Sequence, residues 1–362
     1  MRLAAAALPI VIAACSGAET STPELTVVTV EGTATTTLPP SSTSAPAPTI
    51  PVTLPVPTTT TTVPAAIIPV TTPLPASTTA VPAVAPVVCQ PADDYVSTAS
   101  GRRILLRADG LAGPAPTIVV VHGYSGTPTG IERFAELTAA ANERGVAVAY
   151  PEGTPTEDGD LGWNTGAGVF ATAVGDDLAA LDEMIDAVVA TGCVDPARVI
   201  LAGESNGGGL ALVAACTPPL ATRVQRVVLV NAAVADGVLA RCAGPGGVAP
   251  LTVVAGAGDE TVPIDGTTEL LPLVDWFPRA ATAVAGCQAV EPAAPFDAVV
   301  TRQVGAGCAA CTELLVIADG AHTWPGSSRG VNGLVPGTLD LNGLLIEAAL
   351  APPAPTCLTG RA

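Results

Sequence analysis

Two kinds of hydrophobic pattern alternate from Arg102 toward the end of the chain. Short continuous apolar runs, rich in Val and Ile, are typical of strands buried on both faces of a parallel sheet. Between them lie segments whose apolar residues recur every three or four positions, which is typical of helices that cover such a sheet. The alternation predicts an α/β domain. The predicted strands are Arg102–Arg107, Thr117–Val121, Val146–Tyr150, Val199–Ala202, Arg226–Val230, Leu251–Ala255 and Glu313–Ala318.

The helical periodicity is clearest in two segments. Ile131–Arg144 places apolar side chains at helical spacing, and Gly145 can end that helix. Asp176–Val189 is amphipathic and leads into the strand that begins at Val199. Because a strand, a helix and a second strand follow one another here, the strands are expected to pair in parallel.

Two predictions concern the rim of this sheet. The first strand, Arg102–Arg107, is expected at the sheet edge. The long segment Pro151–Gly168 is rich in Gly and acidic residues and is expected to be a loop. This loop either lines a substrate cleft or covers the surface with Trp163 as an apolar plug, and the pattern does not choose between them.

The first quarter of the chain has neither pattern. Residues 20–87 are mostly Thr, Pro, Ser, Ala and Val with almost no charge, which predicts an extended, disordered stalk. Such a composition also occurs in O-glycosylated spacers. We therefore divide the chain into a signal peptide at 1–14, a Thr/Pro-rich disordered stalk at 15–87 and the α/β domain at 88–362.

The N-terminal segment has the layout of a lipoprotein signal peptide. Arg2 precedes an apolar run, which ends in two Ala residues followed by Cys15. Cleavage before Cys15 would leave its thiol at the new N-terminus for lipid attachment, and the apolar run is too short to span a bilayer. We expect an extracellular protein anchored to the membrane through Cys15; secretion without an anchor is the alternative.

The net charge and the absence of Lys exclude several function classes. The chain has 32 acidic residues against 14 basic ones and a formal net charge of −18, so nucleic acid is not an expected partner. All of the basic residues are Arg. Without Lys there is no P-loop lysine, no pyridoxal Schiff base and no Ser-Lys dyad.

The cysteines predict structural disulfides. Besides Cys15, eight of the nine Cys residues fall in the α/β domain, which allows up to four bridges in an exported protein. Cys308 and Cys311 form a Cys-x-x-Cys pair that is alternatively redox-active or half of a zinc site. Because the chain has only two His residues, structural bridges are preferred, and neither a metal nor a cofactor is expected.

The candidate chemistry begins at a Gly-x-Ser-x-Gly pentapeptide, Gly203–Gly207, placed between a predicted strand and a helix that continues through Leu210–Ala214. Such a sharp turn presents a serine at the carboxyl edge of a sheet, and small neighbours give it room. Ser205 is therefore the candidate nucleophile. The N–H of Asn206, at the helix N-terminus, is a candidate oxyanion donor.

Partners for Ser205 follow the later strands. Asp259 comes just after the strand ending at Ala255 and is the candidate triad acid, with Asp265 in reserve. His322 follows the last predicted strand and is the candidate base. The loop after Val121 supplies the second candidate oxyanion donor, the N–H of Tyr124.

Several short motifs make the chain resemble the secreted poly(3-hydroxybutyrate) depolymerase and feruloyl esterase group of α/β-hydrolases. They are HGYSG at His122, YPEGT at Tyr150, WN at Trp163, VDPARVILAGESNGG from Val194, GDETVP around Asp259 and GAHTWPG ending at Gly326. The resemblance implies an α/β-hydrolase fold with a mostly parallel central sheet, helices on both faces, and a triad of Ser205, Asp259 and His322. Substrate contacts are expected from His122, Trp163, Asn164, Glu204 and Trp324. Glu204 departs from the family, which often has Leu or His before the serine.

These features predict a serine esterase that hydrolyses carboxylic esters through an acyl-enzyme. The candidate substrates are feruloyl or acetyl esters on polysaccharide, hydroxyalkanoate oligomers and envelope lipids. Two alternatives remain: a serine peptidase of the prolyl oligopeptidase type and a catalytically silent, envelope-binding lipoprotein. The triad alone does not separate the first of these from an esterase.

Overall fold

The computed structural model describes residues 88–89, 94–166, 175–242, 249–329 and 339–359. The predicted signal peptide, the stalk and Cys15 lie outside the described residues. No helix in the described ranges is long and apolar enough to cross a membrane. The described strands are β1 Tyr95–Ser97, β2 Arg103–Arg107, β3 Ala115–Val121, β4 Ala147–Pro151, β5 Thr154–Pro155, β6 Leu161–Gly162, β7 Val194–Glu204, β8 Arg226–Val230, β9 Leu251–Gly256, β10 Ala289–Val290, β11 Ala294–Pro295, β12 Val300–Ala306 and β13 Thr312–Ile317.

One large twisted sheet organises the domain. Its strand order is β1-β2-β4-β3-β7-β8-β9-β13-β12-β10, with β11 paired to β12. The central strands from β4 to β13 pair in parallel, whereas β1, β2 and β12 pair antiparallel to their neighbours. β3 is buried along its whole length, as its continuous run of β-branched residues predicts. The carboxyl ends of the parallel strands therefore meet at one edge of the sheet.

Helices cover both faces of this sheet. Residues of α3, α4, α6 and α7 pack in one hydrophobic cluster, and residues of α1, α2 and α8 pack in a second cluster that contains the opposite side chains of β3. This arrangement confirms the predicted α/β-hydrolase fold. The helices are α1 Pro128–Ala135, α2 Thr138–Glu143, α3 Asp177–Ala190, α4 Asn206–Cys216, α5 Leu220–Arg223, α6 Asp236–Ala240, α7 Leu273–Ala285 and α8 Leu341–Leu350.

Three sequence predictions are wrong in detail. The strand at Arg102–Arg107 is not at the edge, because β1 pairs outside it. The predicted helix Ile131–Arg144 is two helices, broken where Glu136 adopts a left-handed conformation with φ of 52°. The segment Pro151–Gly168 contains a short hairpin formed by β5 and β6 where a loop alone was expected.

Three disulfides join described cysteines: Cys216–Cys242, Cys287–Cys308 and Cys311–Cys357. The Cys-x-x-Cys pair is thus divided between two bridges. Cys89 and Cys193 are buried thiols, and burial together with the neighbouring Cys193 raises the pKa of Cys89 to about 12. Disulfides of this kind form in oxidising compartments.

Candidate active site

Ser205 lies at the junction of β7 and α4, the strand-to-helix turn expected from the sequence. Its backbone is in the left-handed region, with φ of 53°, which is uncommon for any residue other than glycine. The Ser205 N–H donates to the Val230 carbonyl at 2.9 Å, and the Ser205 carbonyl accepts from Ala233 N–H at 2.9 Å. These bonds to the neighbouring strand and its following loop hold the turn in its strained conformation.

The turn needs the two flanking glycines. A Cβ added to Gly203 would stand 2.2 Å from the Gly207 carbonyl oxygen. A Cβ added to Gly207 would stand 2.4 Å from the carbonyl oxygen of His122. Since these obstacles are backbone atoms that cannot swing aside, the strand, the turn and the loop after β3 come this close only with glycine at both positions.

Asp259 and His322 form a contact at the same sheet edge. Asp259 follows β9, and its Oδ1 accepts from the N–H groups of Thr261 and Val262, both at 2.8 Å. Its Oδ2 lies 2.7 Å from His322 Nδ1. The Asp259 side chain is 1% exposed. Hydrogen bonds to both of its oxygens fix this buried carboxylate. Asp265, the reserve candidate, is exposed and lines a different cavity.

Asn231 positions the loop that carries His322, a role that the sequence analysis missed. Asn231 follows β8 with φ of 44°, and its Nδ2 donates to the carbonyls of Ala321 at 3.3 Å and Thr323 at 3.0 Å. Its Oδ1 accepts from Gly256 N–H at 3.0 Å. One buried amide therefore ties the ends of β8 and β9 to the His322 loop. The only signal in the sequence is an Asn immediately after a predicted strand.

The second nitrogen of His322 faces Glu204. Nε2 lies 3.1 Å from Glu204 Oε1, and within the described residues the Ser205 hydroxyl makes no hydrogen bond to His322. Burial would lower the pKa of His322, but the carboxylates of Asp259 and Glu204 outweigh burial and raise that pKa to about 9. The imidazole is therefore mostly protonated at neutral pH.

The loop after β3 is fixed by His122. His122 Nε2 accepts from Gly153 N–H at 3.1 Å, and Nδ1 donates to the Gly123 carbonyl at 2.7 Å, so both ring nitrogens are used within the protein. Burial lowers the pKa of His122 to about 4, which keeps it neutral. This ring shapes the loop that carries Tyr124.

Asn206, Trp163 and His122 are linked behind the turn. The Asn206 side chain accepts from Trp163 N–H at 2.8 Å and donates to the Trp163 carbonyl at 3.1 Å. The Trp163 indole donates to the His122 carbonyl at 2.8 Å. Hence the two loops that flank Ser205 are bonded to each other through one buried tryptophan.

The candidate substrate residues fall into two groups. Glu204 and His122 line a cavity of about 520 Å³, which is also lined by Ser205, His322 and the candidate oxyanion residue Tyr124. The other three do not line it. Trp163 and Trp324 are buried in the core, Trp324 donating to Asn342 Oδ1 at 2.8 Å, and Asn164 donates its N–H to Asp177.

The cavity beside Ser205 has apolar walls. Ile131 and Phe134 of α1 form one side, and Val262 and Leu270 of the loop after β9 also line it. Among the described residues that line the cavity there is no Arg, and its charged or titratable groups are Glu204, His322, His122 and Tyr124. An uncharged group of modest size suits such a space better than an anionic one.

One cluster in the described residues has metal-ligand chemistry, and it does not suit a metal. Cys311, Glu313 and Cys357 bring ligand atoms within 4.8 Å of one another. Both sulfurs belong to the Cys311–Cys357 disulfide, and the Glu313 carboxylate is paired with Arg302 at 2.9 Å. No thiolate is left to coordinate a cation.

Comparisons with known proteins agree with this architecture. Residues 104–242 match the family model described as esterase PHB depolymerase. A protein of Nocardia uniformis subsp. tsuyamanensis named "Putative esterase NocK" is 34% identical over 152 residues, which are 37% of this chain and 41% of that protein. Feruloyl esterase B of Piromyces equi is 30% identical over 102 residues, 28% of this chain and 18% of that protein. The chain thus spans less than half the length of each of these relatives.

Among solved structures, the acetyl xylan esterase of Aspergillus awamori matches with a TM-score of 0.46 and 16% identity over 62% of this chain and 89% of that one. The matched family segment runs from β2 through the Ser205 turn to α6. It therefore contains the candidate nucleophile and both candidate oxyanion donors. The chain has the α/β-hydrolase fold and resembles the poly(3-hydroxybutyrate) depolymerase and feruloyl esterase group of that fold.

Proposed function

We propose that this chain is a serine hydrolase of carboxylic esters. The observation that carries the proposal is the strained Ser205 at a strand-to-helix turn, in one cavity with a histidine whose Nδ1 is hydrogen-bonded to a buried aspartate. A serine in this setting is the usual nucleophile of an acyl transfer. The match to an esterase family and the feruloyl esterase relatives support an ester as the substrate.

In the proposed mechanism, Ser205 Oγ attacks the ester carbonyl while His322 Nε2 accepts the hydroxyl proton. Asp259 keeps the proton on Nδ1 and stabilises the imidazolium that forms. The N–H groups of Asn206 and Tyr124 receive the oxyanion. His322 then protonates the leaving alcohol, and a water molecule activated by the same histidine hydrolyses the acyl-enzyme.

The proposed acyl group is uncharged. The apolar walls of the cavity favour an aromatic or short aliphatic acyl chain, and the nearby carboxylates repel an anionic one. Feruloyl, acetyl and hydroxyalkanoate esters all satisfy this requirement. A panel of these three ester classes, run beside a peptide amide, separates the esterase from a peptidase and identifies the preferred acyl group.

Ser205→Ala tests the function directly. We expect the variant to lose a fluorophosphonate label and at least about three orders of magnitude in kcat on a nitrophenyl ester, because the nucleophile is gone. Ser125→Ala, in an exposed turn of the neighbouring loop, is the control and should keep the label. Full esterase activity in Ser205→Ala would refute the proposal.

We also propose that the protein is extracellular and anchored to the membrane by lipid on Cys15. The three disulfides support an oxidising compartment, and the small residues before Cys15 support lipid attachment. Cys15→Ala should release the protein from the membrane fraction into the medium. Unchanged membrane retention of that variant would contradict the anchor.

A further inference from the structure

His322 is held between two carboxylates. Nδ1 lies 2.7 Å from Asp259 Oδ2, and Nε2 lies 3.1 Å from Glu204 Oε1. The Asp259 and Glu204 side chains are 1% and 9% exposed, so water screens neither contact well. Nε2 is the nitrogen that a triad histidine uses toward its serine, and here it contacts the Glu204 carboxylate.

With both carboxylates ionised, only a protonated imidazole satisfies both contacts. A neutral imidazole carries one N–H, and when that N–H is on Nδ1 for Asp259, Nε2 presents a lone pair. A lone pair facing the Glu204 carboxylate is repulsive, whereas the N–H of an imidazolium attracts it. The same Nε2 lone pair is what Ser205 needs in order to give up its proton.

The loop after β3 and strand β8 hold Glu204 beside His322. A Cβ on Gly123 would stand 2.4 Å from Glu204 Oε2, so the loop after β3 leaves room for the carboxylate only because residue 123 is glycine. Glu204 itself ends β7, paired with Val230 of β8, which fixes its backbone. In the part of the chain that the structure describes, His322 is the one charged partner that Glu204 contacts.

We propose that Glu204 is a positioning residue that holds His322 as an imidazolium in the resting enzyme. His322 then becomes a base for Ser205 only after Nε2 loses its proton and the contact with Glu204 breaks. The catalytic consequence rests on the proposed function, whereas the state of the imidazole does not. Among the described residues, the titratable groups that contact His322 are Asp259 after β9 and Glu204 at the end of β7, and those that line the same cavity are His122 and Tyr124 after β3.

The imidazole can be observed directly, because the chain has only two His residues. NMR titration of the ring protons in the full chain would show His322 changing at alkaline pH, in line with its pKa of about 9, whereas His122, with a pKa of about 4, stays neutral in that range. His322→Gln assigns the two signals. In the wild type, a His322 midpoint at or below its ordinary pKa of 6.5 would by itself overturn the proposal.

Glu204→Gln removes the carboxylate while keeping its size. We expect the His322 midpoint to fall by about one pH unit or more, because one of the two groups that stabilise the imidazolium is lost. Glu260→Gln is the matched control, since Glu260 is exposed and adjacent to Asp259. An equal midpoint in wild type and Glu204→Gln would show that Glu204 does not hold the proton.

The pH profile of kcat/KM on a nitrophenyl ester gives the second readout, because its acidic limb reports the free enzyme's base. In Glu204→Gln the limb should move to lower pH, which raises the rate below the limb by about tenfold for each pH unit moved. The profiles should converge at alkaline pH. If the NMR midpoint shifts and no activity is found in any variant, the proposed function fails and the role of Glu204 toward His322 stands.

Discussion

Ser205 shows how the fold stabilises an unfavourable backbone conformation. A non-glycine residue in the left-handed region costs about 1–3 kcal/mol, and such strain persists only where the surroundings determine it. Here the peptide N–H of Ser205 bonds to β8, and its carbonyl accepts from Ala233 and, at 3.1 Å, from Gly209. The turn places Ser205 at its apex, in the lining of the cavity. Asn231, also at positive φ, fixes the opposite side of the same site.

At the residue scale, sequence reasoning located the candidate residues but not their contacts. Ser205, Asp259 and His322 each follow a predicted strand, and parallel strands bring their carboxyl ends to one edge, so their proximity follows from order alone. The Glu204 contact depends on which way one side chain turns from the end of β7. Side-chain direction is set by neighbours such as Gly123, which the local sequence does not reveal.

At the scale of elements, Asp177 at the start of α3 fastens the loop beside the site. It is fully buried and accepts from Arg102 Nη1 at 2.9 Å, Thr154 Oγ1 at 2.8 Å and Asn164 N–H at 2.7 Å. The donors come from the chain just before β2, from β5 and from the segment after β6. A single carboxylate therefore joins the helix to the hairpin loop that carries Trp163.

Asp177→Ala should reduce the free energy of unfolding by about 3–5 kcal/mol, because Arg102 and the backbone N–H lose a buried partner. The matched control is Asp186→Ala on the same helix, whose carboxylate pairs with Arg223 but is 68% exposed and should cost less than about 1 kcal/mol. Urea denaturation of both variants measures the difference. Equal small losses would mean that Asp177 does not hold the loop.

Burial explains which elements could be predicted from the sequence. Strands β3, β8 and β9 are buried throughout, so they appear as continuous apolar runs. β12 was missed because it is only partly buried and carries Arg302 and Gln303. α7 was missed because it follows one proline and contains another, Pro278.

The break between α1 and α2 has a cause far along the chain. The Glu136 carboxylate accepts from Ser328 N–H at 2.7 Å and from Arg329 Nε at 3.0 Å, so a loop nearly 200 residues later holds the residue that ends α1. The C-terminal segment beyond β13 thus shapes the helix that forms one wall of the cavity. The hydrophobic periodicity of Ile131–Arg144 does not reveal that contact.

At the scale of the whole molecule, the two histidines set opposite pH limits on stability. His322 has a folded-state pKa of about 9, above its ordinary value of 6.5, so its contribution is complete below pH 6.5 and is lost as the pH rises through 9. His122 has a folded-state pKa of about 4, below 6.5, so an unfolded chain takes up the proton first as the pH falls from 6.5 toward 4. Together, the two histidines place the maximum of the free energy of unfolding near pH 6.5.

His322→Gln isolates the alkaline side of this dependence. The wild type should be more stable than the variant at about pH 6, where the imidazolium sits between two carboxylates, and this advantage should fade by about pH 10, where both chains lack that charge. Chemical denaturation of the two proteins at matched ionic strength measures the gap at each pH. A gap that stays constant from neutral to alkaline pH would mean that His322 is not held protonated in the folded state. That result would contradict the paired-carboxylate arrangement independently of any assay of catalysis.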